Sequence, residues 1–357
     1  MRNILFLYKE MLGGGAEKVI FDIAKEFNKN DSYKIILASH NLYDLNLYKE
    51  CNLKLYDIEF NKLNILSIIK NIKEVVRICK DNNISIIHSH HRLTTVYALI
   101  VSKFIDVELV HTEHNVFPNK NWVNLRGKNI IAVSENVRDS LIKNKINKKH
   151  IKVIYNGIDL NNNKLYKDLK NEYGIEKEKF CFGTIARLTE QKGIFYLLKA
   201  FKEIVKKNEN TFLFLIGDGE LREDIEHYII ENNLRHNIIM VGKRADIMDI
   251  ISSLDCYILP SIYEGFPITN LEVMSSERIV IATNVGGNKE IIVDGVNGYL
   301  VDPKNIEQLK SKLEYVLNNR ENLMEMNKNA RHTIEKRFNL DNIYKEYLDY
   351  YNSLFNG

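Results

Sequence analysis

Residues 256–274 read CYILPSIYEGFPITNLEVM. The first four residues form an apolar run that predicts a buried strand, and a Gly-Phe-Pro turn then leads into a helical pattern. In parallel α/β sheets, ligands bind at the carboxyl ends of the strands, where helix N-termini present free amides. Glu264 lies in this turn and Glu272 follows eight residues later. Two glutamates near a helix are usually solvated charge, but this combination of strand end, glycine turn and helix start favours a ligand site.

Short apolar runs alternate with longer amphipathic stretches along nearly the whole chain. Before residue 160, the pattern predicts strands at 3–8, 34–38, 84–88, 108–111 and 129–133 and helices at 17–28, 65–81, 94–104 and 136–144. After residue 174, it predicts strands at 180–185, 211–216, 238–241, 256–259 and 279–283. Such alternation indicates parallel sheets that are covered by helices on both faces.

A polar stretch rich in Asn and Lys separates the two series of strands. The predicted fold class is therefore α/β, with two doubly wound, Rossmann-like domains facing a central cleft. We assign 1–160 to an N-terminal domain, 161–174 to a linker and 175–339 to a C-terminal domain. A final helix within 340–357 has no strand after it, and we expect it to pack back on the N-terminal domain.

The composition is that of a folded protein. Of 357 residues, 45% are hydrophobic and 27% are charged, which argues against a disordered chain. The cysteines at 51, 79, 181 and 256 form no CxxC pair and lack zinc spacing, so we expect reduced thiols.

Apolar runs are interrupted by charge before about 18 residues, and the N-terminal run is too short for a signal peptide. We therefore expect a cytoplasmic protein without a membrane span.

Charge is unevenly distributed along the chain. Residues 1–160 contain 24 Lys and Arg against 17 Asp and Glu, whereas the remainder contains 26 against 30. A basic first half favours an anionic partner such as a phospholipid surface, a phosphate-bearing acceptor or nucleic acid, and a solvated lysine-rich surface explains it equally well. The same two interpretations apply to the run of Lys143, Lys145, Lys148, Lys149 and Lys152.

Glu264 and Glu272, with seven residues between them, resemble the E-x7-E signature of the retaining glycosyltransferases of family 4, which have the GT-B fold. Five further segments match this family in order and spacing. They are GGGAEK at 13–18, AVSE at 132–135, NGID at 156–159, ARLTEQKG at 186–193 and IGDGE at 216–220. The resemblance covers residues 3 to 340. It departs at 275–281, SSERIVI, which lacks the glycine and proline usual there, so the turn must be built differently.

The resemblance implies that the second domain holds a nucleotide-diphosphate sugar. Arg187 and Lys192 would neutralise the charge that grows on the leaving diphosphate, although two exposed cations are the structural alternative. Glu264 would contact the sugar hydroxyls, and Glu272 would bind the ribose. The predicted donor set is completed by Gly242 and Lys243, near the base, and by Gly265, Phe266, Pro267, Ile268 and Thr269.

The first domain would then bind the acceptor. Gly13, Gly14 and Gly15 follow the first predicted strand and allow a ligand to approach the backbone closely. They do not complete a GxGxxG dinucleotide motif, because Lys18 stands at the position of the third glycine, and this disfavours NAD.

Histidines cluster at the ends of two predicted strands of this domain, at positions 88, 90, 91, 111 and 114. The family often has a histidine after a Thr-x-His turn near the donor sugar. His114 matches this position best, and His111 is the competing choice. We expect His90 and His114 to line the acceptor site. Imidazoles at two loop ends could also bind zinc, which is the alternative interpretation, but we predict no metal.

The sequence therefore predicts a retaining, metal-independent glycosyltransferase with the catalytic residues Glu264, His114, Arg187 and Lys192. It would move a hexose or N-acetylhexosamine from a UDP-sugar to a hydroxyl of a glycan or lipid-linked acceptor in bacterial surface polysaccharide synthesis. We expect no cofactor besides the nucleotide sugar, no nucleic acid partner, and peripheral contact with the anionic inner face of the plasma membrane. The alternatives are a sugar-phosphate synthase or epimerase of the same fold, and a non-catalytic sugar-binding partner subunit.

Overall fold

The chain divides into two compact units in the computed structural model. The described residues are 2–29, 33–41, 53–116, 129–160 and 168–356. The first unit comprises Met1–Asp159 and Asn339–Gly357, and the second comprises Leu160–Phe338. The predicted linker 161–174 is only partly described. Residues 161–167 and Cys51 lie outside the described residues, and the rest of the predicted linker belongs to the second unit.

A parallel sheet of seven described strands forms the centre of the first unit. The strands are β1 (Arg2–Leu7), β2 (Tyr33–Ser39), β3 (Lys54–Asp57), β4 (Ile84–Ser89), β5 (Glu108–Glu113), β6 (Asn129–Ala132) and β7 (Ile151–Val153). Their order is β3-β2-β1-β4-β5-β6-β7, so the winding direction reverses between β1 and β4. The sequence pattern predicts the five strands that have buried apolar runs. It misses β3 and β7 because both are short, partly exposed edge strands.

Helices connect these strands. They are α1 (Gly15–Asn28), α2 (Ile65–Asp81), α3 (Arg92–Val101) and α4 (Glu135–Lys143), with a 3-10 turn at Lys148–His150. Side-chain caps set where three of them begin, because the first turn of a helix leaves backbone amides without partners. Asn64 accepts from the Ser67 amide, Ser134 from the Val137 amide, and the His91 ring from the Leu93 amide.

The second unit has a parallel sheet of six strands among its described residues. The strands are β8 (Phe180–Ile185), β9 (Thr211–Ile216), β10 (Ile238–Gly242), β11 (Cys256–Leu259), β12 (Ile279–Thr283) and β13 (Tyr299–Val301). The order β10-β9-β8-β11-β12-β13 reverses between β8 and β11. In open α/β sheets such a reversal leaves a crevice at the carboxyl ends of the two strands. The sequence pattern predicts every strand here except the three-residue β13.

Eight helices and two 3-10 turns surround this sheet in the described part of the unit. They are α5 (Leu169–Glu172), α6 (Ile194–Lys207), α7 (Arg222–Glu231), α8 (Ile247–Ser252), α9 (Ile268–Ser275), α10 (Asn288–Ile291), α11 (Ile306–Asn318) and α12 (Met324–Arg337), with the 3-10 turns Glu190–Lys192 and Arg320–Leu323. The core is rich in aromatic side chains, including Phe182 and Phe201. Helix α5, inside the predicted linker, is tied to this unit because Lys170 forms an ion pair with Asp255 at 2.9 Å.

The turn after α9 is the one that departs from the family pattern. Glu277 has a φ of 55°, in the left-handed region that normally favours glycine. Its amide donates to the Met274 carbonyl at 3.1 Å, and the Arg278 amide donates to the Val273 carbonyl at 3.2 Å. These two bonds define a Schellman motif, which usually has glycine where Glu277 stands.

The C-terminal helix α13 (Leu340–Ser353) belongs to the first unit. Its amphipathic pattern buries Tyr347 and Tyr351, and the Tyr351 ring lies 5.4 Å from that of Phe27 on α1. The helix begins where the Leu340 amide donates to the Ile158 carbonyl at 2.9 Å. None of the described helices has both the length and the apolar character needed to cross a bilayer.

Candidate functional site

The best-defined site in the second unit lies where β8 and β11 end. The Lys192 Nζ is 2.5 Å from Oε1 of Glu264, and the Ser261 hydroxyl donates to the same oxygen at 2.6 Å. The Lys192 side chain is only 16% exposed and that of Glu264 only 6%. The structure thus brings together two predicted catalytic residues as a largely buried ion pair at the reversal of the strand order.

Backbone contacts between the two loops fix this ion pair. The Ile262 amide donates to the Gln191 carbonyl at 2.8 Å, and the Gln191 side-chain amide donates to the Tyr263 carbonyl at 3.0 Å. Gly193 has a φ of 65°, and a Cβ at this position would overlap the Pro260 carbonyl oxygen. The chain can therefore turn directly behind Lys192 only because residue 193 is glycine.

A third loop, after β12, supports Glu264 from the other side. Gly286 has a φ of 51°, and a Cβ there would overlap the Glu264 carbonyl oxygen. The Gly287 amide donates to the Gly265 carbonyl at 2.9 Å, and the Thr283 hydroxyl donates to the Ser261 carbonyl at 2.6 Å. Sequence reasoning did not assign a role to these residues. The adjacent glycines after a predicted strand were the available signal.

Arg187 lies in the loop after β8 and is exposed. The adjoining Leu188 amide donates to the Asp218 carbonyl at 3.0 Å, so the loop after β9 holds this segment. Among the described residues, the Arg187 guanidinium forms no hydrogen bond or ion pair. Its charge is therefore available to an anionic ligand, and Lys192 lies five residues further along the same connection.

Glu272 is buried on α9, four residues after the helix begins and thus little more than one turn into it. The carboxylates of Glu272 and Glu264 both influence the pKa of Tyr257, a buried residue of β11. Burial raises the pKa of the Tyr257 hydroxyl well above its usual range, and the negative charges of Glu264 and Glu272 raise this pKa further. The two carboxylates of the E-x7-E spacing therefore lie near one buried phenol, which the sequence analysis did not single out.

The other predicted donor residues divide into two groups. Gly265, Phe266, Pro267 and Ile268 form the turn into α9, where the Phe266 ring packs 5.3 Å from that of Phe338 and Ile268 is buried. The Phe266 and Ile268 side chains therefore belong to the core, whereas Thr269 is half-buried on the first turn of α9.

Gly242 ends β10 and Lys243 follows it, three strands away from β11, a separation of about 14 Å across the sheet. Gly242 has a φ of 80°, and its carbonyl accepts from the Gly217 amide at 2.8 Å. The structure does not bring them to the Lys192–Glu264 pair; they lie at the far end of the same row of loops.

In the first unit, the predicted acceptor residues follow β1, β4 and β5. Gly13 has a φ of 84°, and its amide donates to the Glu17 carboxylate. Gly14 is the N-cap of α1 and Gly15 its first residue. The exposed backbone of Gly13 and Gly15 lies next to the reversal of the strand order between β1 and β4.

His90 and His114 form a contacting pair at the carboxyl ends of β4 and β5. Nδ1 of His90 lies 3.2 Å from Nε2 of His114. His90 also stacks on His88, with ring centroids 4.1 Å apart, and its backbone amide donates to the Leu7 carbonyl. Both nitrogens of His88 are engaged, one with the Tyr351 hydroxyl at 2.6 Å and the other with the Thr112 hydroxyl at 2.7 Å.

Burial keeps these imidazoles neutral. It lowers the pKa of His88 and of His90 well below the usual range, and it lowers the pKa of His91 and of His114 to about 4. The cause is desolvation, because a charged imidazole would lose its hydration, and neighbouring histidines add repulsion. His111 is buried, with Nδ1 2.8 Å from the Thr95 hydroxyl, whereas His114 is partly exposed.

A buried ion pair lies beside this histidine cluster. Nε of Arg92 donates to Glu113 at 2.7 Å, while Nε2 of His111 lies 3.6 Å from the same carboxylate, too far for a hydrogen bond. Among the described residues, no group of three or more His, Cys, Asp or Glu side chains is arranged to hold a metal ion.

Two family models match the chain. Glycosyltransferase Family 4 matches residues 13–162, and Glycosyl transferases group 1 matches residues 166–333. A relative from Escherichia coli, the UDP-Gal:alpha-D-GlcNAc-diphosphoundecaprenol alpha-1,3-galactosyltransferase, is 27% identical over 91% of both chains.

Solved structures share the fold over the whole chain. A glycosyltransferase from Rickettsia africae has a TM-score of 0.87 at 24% identity and covers 100% of this chain and 99% of its own. HepE of Anabaena, crystallised with UDP and glucose, has a TM-score of 0.86 at 22% identity and covers 99% of this chain and 100% of its own. The fold is GT-B, and the chain belongs to the glycosyltransferases of family 4.

Proposed function

We propose that this chain transfers a hexose or N-acetylhexosamine from a UDP-sugar to a hydroxyl of a glycan or lipid-linked acceptor, with retention of the anomeric configuration. The observation that carries this proposal is the buried Lys192–Glu264 pair at the end of β11, with the exposed Arg187 on the adjoining loop. The E. coli relative, whose name gives a UDP-sugar donor and a diphosphoundecaprenol-linked acceptor, supports the donor and acceptor classes.

The donor would bind along the row of loops in the second unit. Arg187 and Lys192 would bind the diphosphate and stabilise the charge that develops on it as the bond to the sugar breaks. Two protein cations can supply the positive charge for which other enzymes use a metal ion, so we propose metal-independent transfer without a cofactor. Glu272 would bind the ribose, and Gly242 with Lys243 would line the base.

Transfer with retention requires the acceptor oxygen to bond to the anomeric carbon on the face that the diphosphate leaves. We propose that the acceptor proton passes to the departing phosphate oxygen, so that protons balance without a separate base. Glu264 would accept hydrogen bonds from the sugar hydroxyls, and Lys192 would remain beside it to neutralise the leaving group.

The acceptor would bind the first unit at Gly13–Gly15, His90 and His114. Neutral imidazoles can donate one hydrogen bond and accept another, which suits an uncharged sugar hydroxyl. His114, which is partly exposed, would contact the reacting sugar. We further propose that the protein works in bacterial surface polysaccharide synthesis, in the cytoplasm at the inner face of the plasma membrane.

The test is a thermal-shift and turnover screen with UDP-, GDP-, ADP- and dTDP-sugars. We expect UDP and UDP-sugars to stabilise the protein and Arg187→Ala or Lys192→Ala to abolish this effect, whereas the exposed Lys199→Ala serves as the matched control. NMR of the product should give the α-configuration, and a chelator should leave turnover unchanged.

Several outcomes would contradict parts of the proposal. Stabilisation by another nucleotide series would overturn the UDP assignment. Transfer to a free sugar phosphate in place of a glycan or lipid-linked acceptor would indicate a synthase. Absence of any response to nucleotide sugars would indicate a non-catalytic binding subunit.

A further inference from the structure

The first unit carries an exposed apolar cluster at the start of α2, which we call the apolar turn. It consists of four aliphatic side chains that are 46–81% exposed: Leu63, Ile65, Leu66 and Ile69. No described residue of the chain covers them. Scattered exposed aliphatic residues are normal, but four within seven residues concentrate apolar surface that water solvates poorly.

The helical register shows why these side chains lie outside. The inner face of α2 is set by Asn71, Val75 and Ile78, which are buried against the sheet and α3. Leu66 and Ile69 belong to the opposite face, where an amphipathic helix normally has polar residues. The outer face follows the expected pattern only from Lys70 onward, so the apolar turn is a local exception on an otherwise regular helix.

Cations adjoin the apolar turn on the same face. Leu66 and Ile69 line a shallow hollow together with Lys70, Lys73, Arg77 and one carboxylate, that of Glu74. Arg77 forms ion pairs with Glu74 and Asp81. Lys70 and Lys73 form no ion pair within 4 Å among the described residues, although the charge of Lys70 also acts on Glu74. The exposed aliphatic tip therefore continues directly into a surface where the cations Lys70, Lys73 and Arg77 outnumber the carboxylates Glu74 and Asp81.

We propose that the apolar turn and Lys70 and Lys73 form the surface with which this protein binds an anionic phospholipid membrane. Aliphatic side chains can enter the acyl boundary while the lysine amines stay at the level of the phosphates, which matches the arrangement on α2. A stable protein interface buries about 800 Å² per partner, more than four aliphatic side chains can supply. This charge pattern and small apolar area favour a bilayer over a protein partner.

The proposal differs from the expectation for the Lys143–Lys152 run. That run follows α4, which packs on β6 and β7 at one end of the sheet, whereas α2 packs on β4 and α3. The run includes Lys148 and Lys149 beside the exposed Ile142. The two surfaces can therefore be changed separately, and each serves as the control for the other.

The experiment is flotation of the full chain with vesicles of phosphatidylcholine, with and without phosphatidylglycerol, at low and high salt. We expect binding to anionic vesicles that weakens with salt. The Leu66→Ser/Ile69→Ser double variant should lower the partition coefficient at least about tenfold at either salt. Lys70→Gln/Lys73→Gln should lower it about fivefold per lysine, at low salt only.

Two further variants make the result specific. Phe104→Ser removes another exposed apolar side chain of the first unit, and Lys148→Gln/Lys149→Gln removes charge from the other surface. Both should bind vesicles like the unchanged protein. All variants should keep their turnover on a soluble acceptor, so failure of membrane binding is distinguishable from failure of the proposed transferase activity.

The proposal would be overturned if the unchanged chain does not float with anionic vesicles. It would also be overturned if Lys148→Gln/Lys149→Gln removes binding while Leu66→Ser/Ile69→Ser does not. Sedimentation velocity tests whether a second copy of the chain binds the apolar turn instead. A dimer that dissociates in the Leu66→Ser/Ile69→Ser variant would show this and overturn the proposal.

Discussion

The two units differ in the charge of the candidate site residues at the ends of their strands. In the second unit, Lys192 and Glu264 are both charged groups and lie largely out of water. In the first unit, the candidate acceptor side chains are imidazoles that burial keeps neutral, with His90 in contact with His114, and the buried ion pair of Arg92 and Glu113 lies beside them. The second unit therefore keeps an ion pair beside an exposed arginine, whereas the candidate acceptor residues of the first avoid charge.

This difference indicates what each unit can bind. A buried ion pair loses its hydration energy and offsets that loss only through close partners. The Lys192–Glu264 pair carries no net charge, and the exposed Arg187 adds a positive charge that attracts an anionic ligand. Neutral imidazoles carry no positive charge for a diphosphate, but they exchange hydrogen bonds with hydroxyls. The charged arrangement thus fits a diphosphate and the neutral arrangement fits a sugar hydroxyl.

The largest effect is expected from Lys192→Met. This change leaves the Glu264 carboxylate buried with Ser261 but without a cation, which should cost about 3–5 kcal/mol of the second unit's stability. Turnover should fall by a factor on the order of 100 or more, because the leaving diphosphate loses a cation. Calorimetry and steady-state kinetics measure the two effects.

A double variant separates these two roles of Lys192. Lys192→Met/Glu264→Gln removes the unpaired charge and should recover most of the stability but none of the activity. If the double variant is as unstable as Lys192→Met, the unpaired Glu264 charge is not the cause of the instability. The difference in charge between the two units would then not explain how the second unit is stabilised.

The glycine that supports Glu264 offers a matched pair of substitutions. Gly286→Ala and Gly295→Ala both place a Cβ at a positive φ in the second unit, 51° and 75° respectively. At Gly295 nothing lies within 4 Å of the new atom, so backbone strain alone should cost about 1 kcal/mol. At Gly286 the Cβ overlaps the Glu264 carbonyl, so thermal unfolding should show a greater loss and donor affinity should also fall. Equal behaviour of the two variants would exclude this loop as a support of the site.

Acid should destabilise the first unit selectively. His91 and His114 have a pKa of about 4 when folded and about 6.5 when unfolded, so the unfolded chain binds more protons between these values. Stability is therefore complete above pH 6.5 and falls as the pH drops towards 4. The loss at pH 5 should be about 2 kcal/mol per histidine.

Calorimetry from pH 7 to 5 with the separate variants His91→Asn and His114→Asn measures this loss. Each variant should weaken the pH dependence, because an amide does not titrate in this range. A pH dependence that both variants leave unchanged would show that these imidazoles are not held neutral.

The charged residues of the candidate site could be predicted from sequence, whereas the residues that hold them could not. Arg187, Lys192 and Glu264 lie in recognisable motifs directly after strong strand patterns, so the sequence predicts that they lie at the ends of strands. The residues that support a site side chain come from distant parts of the sequence. The Thr283 hydroxyl donates to the carbonyl of Ser261, 22 residues away, and in the first unit the Tyr351 hydroxyl contacts His88, 263 residues away. Pairings this distant depend on the three-dimensional packing of strands and helices, which local periodicity does not encode.

The departure at 275–281 illustrates the same limit. The missing glycine predicted a different turn, but only the structure shows that the turn keeps the usual Schellman bonds and forces Glu277 to a φ of 55°. The sequence could thus indicate where the strain arises, but not that the backbone retains the glycine conformation with another residue in it.

The smallest effect is therefore expected from Glu277→Gly. Relief of the left-handed strain should stabilise the second unit by about 1 kcal/mol, which raises its melting temperature by about 2–4 °C. The lost side chain lies 3.8 Å from Arg331 and is half exposed, so that ion pair contributes little. Glu277→Ala is the control, because it removes the carboxylate but keeps the strain, and should leave stability nearly unchanged.

Turnover should be the same in both Glu277 variants, since this turn lies at the far end of α9 from Glu264. A gain in stability without a change in turnover would show that the free energy of unfolding of the second unit can change while the Lys192–Glu264 pair is unaffected. If Glu277→Ala stabilises as much as Glu277→Gly, the penalty at this position is electrostatic, and backbone strain is not its cause.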